Sequence, residues 1–78
     1  MANFLVEYHR TEGTARITEY PDAREALRRR IELDVAATDP NVENVVIAAA
    51  DIEALRVTHS RYFASHVEVV ECAKGDAA

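Results

Sequence analysis

The chain is poor in the residues that small domains use as staples and punctuation. Among 78 residues there are one cysteine, Cys72, one lysine, Lys74, two glycines, two prolines and no tryptophan. A lone cysteine excludes an internal disulfide and a cysteine-built zinc cage within one chain, and it suits a reducing compartment. Two glycines, Gly13 and Gly75, cannot build a glycine-rich phosphate cradle. The motifs G-x-G-x-x-G, G-x-x-x-x-G-K-[ST], G-x-S-x-G, H-E-x-x-H and C-x-x-C are all missing, so nothing points to nucleotide hydrolysis, and no cofactor or metal is expected. Long apolar runs are missing too. Phe4, Leu5 and Val6 give way at once to Glu7, His9 and Arg10, so neither a membrane span nor a secretory leader is expected, and the reading is a cytoplasmic protein. Positive charge is in deficit, with 14 acidic against 9 basic residues and a net charge of −5, which argues against non-specific nucleic-acid binding. One lysine beside many arginines and alanines fits a GC-rich bacterial or phage genome.

The length admits one core. A single domain is expected over 1–73 and a flexible tail over 74–78. One small core leaves about 3–5 kcal/mol of net stability, so self-association would help.

What is present is periodic. Residues 3–10 alternate, with Phe4, Val6 and Tyr8 on one side and Leu5, Glu7 and His9 on the other, and Ala15 to Tyr20 alternates again after Gly13. The pair reads as a β-hairpin; a Glu12-Gly13 turn would set Tyr8 opposite Ile17 and His9 opposite Arg16. After Pro21, Asp22 with Glu25 forms a D-x-x-E capping box that opens a helix running to about Thr38. Ala23, Leu27, Ile31 and Val35 make one ridge on it; Ala26, Leu33 and Ala37 make a weaker stripe, with Arg30 and Asp34 between the two. Val45 to Ala49 is apolar on both sides, as in an interior strand. Asp51 can cap a second helix whose inward face carries Ile52, Leu55, His59 and Tyr62, with Phe63 alongside. His66 to Cys72 alternates as a fourth strand whose glutamates suit an edge.

The expectation is therefore an α+β, two-layer sandwich in the order β-β-α-β-α-β, with a roughly four-stranded mixed sheet and both helices on one face. The other face would be open, carrying Glu7, His9, Arg16 and Thr18, and also His66, Glu68, Val70 and Cys72 if Val67 and Val69 point inward.

Candidate chemistry is thin. His59, inside an apolar stripe, could be a general base or ligand with its pKa lowered by burial, or simply a satisfied helix-end histidine. Arg30 and Asp34 are either the seam between two packing surfaces or an exposed i,i+4 ion pair. Arg24, Arg28 and Arg29 could meet phosphate, yet Glu25, Glu32 and Asp34 are interleaved with them. His9, His66 and Cys72 match no metal-ligand spacing. Thr58-His59-Ser60 cannot pair a nucleophile with a base, because adjacent helical residues diverge. Tyr62 and Phe63 could stack a ring or close the core.

The expected function is a small non-catalytic protein-binding module, its partner a second copy in a homodimer or another protein. It would act through the open sheet face, with His9, Arg16 and Glu68, or through the Ala26/Leu33 side of the first helix. The alternative is a small-molecule site or minor enzyme in a groove around His59 and Arg30, with Asp34 and Tyr62 nearby.

Overall fold

The computed structural model describes residues 1–64 and 66–71; Cys72 and the expected tail at 74–78 lie outside the described residues. The elements are β1 (Ala2–His9), β2 (Thr14–Tyr20), α1 (Ala23–Ala36), β3 (Val42–Ala49), α2 (Ile52–Thr58), a 3₁₀ turn (Ser60–Phe63) and β4 (His66–Glu71). The α+β class, the β-β-α-β-α-β order and the four-stranded mixed sheet are as expected. β1 runs antiparallel to both β2 and β3, and β2 runs parallel to β4, giving the order β3-β1-β2-β4.

The hairpin turn is longer than two residues. The Gly13 N–H donates to the His9 carbonyl at 2.8 Å and Gly13 takes φ 71°, a left-handed conformation that glycine adopts without a Cβ clash. The register therefore slips by two residues, setting Tyr8 opposite Ala15 and His9 opposite Thr14, and a slip of two keeps every side chain on its expected face.

Both helix starts follow the sequence. Asp22 accepts from the Arg24 N–H at 2.9 Å, and Asp51 accepts from the Ala54 N–H at 2.8 Å. α1 ends at Ala36, two residues short of the expected Thr38.

Two expectations about placement fail, for one reason. β3 is an edge strand, not an interior one, and the helices lie on opposite faces of the sheet. β2 and β3 are parallel, each being antiparallel to β1, so β2-α1-β3 crosses the sheet one way and β3-α2-β4 crosses back. A right-handed crossover that reverses its direction of travel must change face. β3 is apolar on both sides because a helix packs over each.

One face holds the main core. Phe4 and Val6 of β1, Ala15 and Ile17 of β2 and Ala49 of β3 pack with Leu55 of α2 and Tyr62 of the 3₁₀ turn, and Val45, Ile47, Ile52, Phe63 and Val67 close its margins. Val69, on the same side of β4 as Val67, is exposed. On the opposite face Leu5 and Thr18 are buried together with Ala26 of α1, and Asn44 of β3 donates to the Asp34 carboxylate at 3.0 Å.

Candidate interaction surface

α1 presents its stronger apolar ridge to solvent. Ala26 has 0% exposure and Leu33 is half-buried, so the weaker stripe seats the helix on the sheet. Leu27, Ile31 and Val35 are 45%, 60% and 82% exposed. The rise follows from helical geometry: each step of four residues turns about 40°, so the ridge drifts away from the sheet toward the helix top. The expected docking side at Ala26 and Leu33 is thus internal packing, and the outward surface is the ridge expected to pack. Arg28 pairs with Glu25, and Arg29 with Glu32 at 3.1 Å, along the exposed helix face.

Asp34 fixes which flank of α1 faces which strand. Its carboxylate is 3.6 Å from Arg30 Nε and accepts from Asn44, so the Arg30/Asp34 flank lies toward β3. Ala23 and Leu27 are next around the helix on that same side. The ridge and the β3 edge therefore border one side of the molecule, with the ion pair between them.

The two sheet edges differ in chemistry. β4 carries His66 and Glu68, both exposed, the latter 3.8 Å from Arg16. Charges of this kind blunt an edge against pairing with another chain. β3 pairs with β1 over eight residues without interruption and contains no proline, lysine or arginine. Its only ionisable residue, Glu43, is engaged within the chain. Arg61 donates to it at 2.6 Å, the Tyr62 hydroxyl donates at 3.1 Å, and Arg10 lies at 3.6 Å.

That cluster is the most connected polar group in the described residues, and nothing in the sequence marked it. Glu43 shares a sheet face with Val45 and Ile47, so period-two alternation does give its side, but Arg61 reaches it only through the tertiary fold. The Arg61 guanidinium lies 4.8 Å over the Tyr62 ring and 5.6 Å over the Tyr8 ring. Burial first, and then the Glu43 carboxylate, push the Tyr62 phenol above its ordinary value of 10. A raised phenol pKa favours the folded state in full below about pH 10, and that contribution is lost as pH climbs through the raised value. Tyr62→Phe should cost about 0.5–1.5 kcal/mol at neutral pH. Urea unfolding from about pH 9 to 11 should then show a shallower alkaline loss for Tyr62→Phe than for the native chain.

The sequence-derived candidates do not converge. His59 is the C-terminal cap of α2; its Nδ1 lies 2.8 Å from the Thr58 hydroxyl and its ring stacks on Tyr62 with centroids 6.2 Å apart. Tyr62 is a core residue. Arg30 and Asp34 sit on α1, across the sheet from both, so no groove joins His59 to Arg30. His9, Arg16, His66 and Glu68 do meet, around an open 390 Å³ cleft where β2 adjoins β4. His9 and Leu33 border a second cleft of 310 Å³ under the end of α1. Among the described residues no group of three or more His, Cys, Asp or Glu is placed to hold a metal ion, and no helix is long and apolar enough to cross a membrane. No protein-family model, curated protein or solved structure matches this chain.

Proposed function

We propose that this chain is a small non-catalytic protein-binding module whose docking surface is the outer ridge of α1 together with the adjoining β3 edge. The observation that carries the reading is the inversion of α1: its best apolar ridge, Leu27, Ile31 and Val35, is directed away from a sheet that a weaker stripe already holds. Exposed apolar residues aligned on one helix stripe and rimmed by arginine–glutamate pairs have the make-up of an interface core with a polar rim.

Site-specific photo-crosslinking in the producing cell tests this. A photoreactive residue replacing Ile31 should crosslink to protein, and Leu27→Glu with Val35→Glu in the same chain should abolish the product while circular dichroism stays native. The same photoreactive residue at the exposed Glu53 of α2 is the control. Equal crosslinking from both positions, or none from Ile31, would refute the assignment.

A further inference from the structure

Resting on that reading, we infer that the partner is a second copy of this chain, joined by antiparallel pairing of β3 with its symmetry mate and by side-by-side packing of the two α1 helices. Among the described residues one row of β3 backbone groups has no strand neighbour, and its sequence, VENVVIAA, carries one charge, Glu43, which is already paired within the chain. A two-fold axis perpendicular to the sheet at Val45 pairs Val45 with itself, Asn44 with the partner's Val46, and Glu43 with the partner's Ile47. Val45 then meets its own copy, Asn44 and Glu43 each face an aliphatic residue, and the two Glu43 carboxylates stay apart.

The helices fit the same axis. Strands are spaced about 4.8 Å apart, so the axis lies about 2.4 Å beyond β3; α1 packs mainly on β3 and β1, and a helix centred over those two strands lies about 5 Å from the axis. The two α1 axes are then about 10 Å apart, at the 8–10 Å separation of packed helices. α1 runs opposite to β3, and Asp34 is level with Asn44. Val45 is about 3.4 Å further along the strand, which corresponds to about two residues back along the helix, at Glu32. Glu32 is midway between Arg30 and Asp34, so the two-fold sets Arg30 opposite the partner's Asp34, and Asp34 opposite the partner's Arg30. The charges on this surface are self-complementary under that operation, and Leu27 lies beside them on the flank turned to the partner.

Sedimentation equilibrium of the 8.7 kDa chain should give twice that mass. Arg30→Glu and Asp34→Arg, both at half-exposed sites of the free chain, should each weaken self-association by about tenfold. An equimolar mixture of the two variants should restore dimer, since each then faces opposite charge. Native circular dichroism for each variant shows that the loss is in assembly. A native chain that stays monomeric at about 1 mM would overturn the homodimer, and if Ile31 still crosslinks to a different protein the binding-module reading survives it. Dimers indifferent to both variants, or variants that fail to complement on mixing, would overturn the proposed geometry.

Discussion

Leu55→Ala should bring the chain to the edge of unfolding at 25 °C. Leu55 has 0% exposure and is the α2 side chain most deeply set in the core, among Phe4, Val6, Ile17 and Tyr62. Truncating a buried leucine removes its transfer free energy and leaves a cavity, costing about 2–5 kcal/mol. A domain of this size holds about 3–5 kcal/mol in all. α2 is only seven residues long, too short to persist without its anchor. The expected result is a broad, early thermal transition by circular dichroism. Val57→Ala, on the same helix but 79% exposed, should shift stability by less than about 0.5 kcal/mol. A cooperative, near-native melt for Leu55→Ala would mean that α2 is not the lid of this core.

Ala26→Glu should be nearly as damaging, and its neighbour should not be. Ala26 is fully buried on the face that holds Leu5 and Thr18, so a longer side chain there has no direct path to solvent. A glutamate there must either place a carboxylate against apolar surface or lift the helix, at a cost of about 3 kcal/mol or more. Leu27→Glu, one residue on and 45% exposed, should cost less than about 0.5 kcal/mol when measured on dilute, monomeric protein. Urea denaturation of the two variants reads out which way α1 faces. If Leu27→Glu proved the more costly, the ridge would be packed internally, and the interaction surface would be lost with it.

The comparison of Ala26→Glu with Leu27→Glu probes the feature that the sequence leaves most open. Strand alternation, Asp22 and Asp51 as helix caps, Gly13 at the turn and the order of elements were all legible, because each depends on residues close together in the chain. The rotation of α1 was not. Periodicity shows that two stripes exist, and the larger one, Leu27, Ile31 and Val35, invites the assumption that it faces inward. Which stripe seats the helix depends on how close the helix must come to the sheet, and Ala26 permits an approach that leucine would prevent. Strand order was likewise illegible: the handedness rule fixes the face of a crossover only once its direction of travel is known, and no local residue pattern gives that direction. The misplacement of β3 followed from reading two-sided apolarity as a central position, when two covering helices produce the same pattern at an edge. His59 matches the helix-end reading, since a residue in register with an apolar stripe can still be the cap that ends the helix.

The strand order β3-β1-β2-β4 also bears on how the molecule is made. Its two central strands, β1 and β2, are neighbours in sequence joined by a short turn, so the middle of the sheet closes a short loop. α1 and β3 follow and complete one side. Phe4, Val6 and Ile17, however, have no cover until α2 and the 3₁₀ turn have left the ribosome. During that interval the nascent chain displays a bare apolar sheet beside an unguarded edge, a state open to premature association.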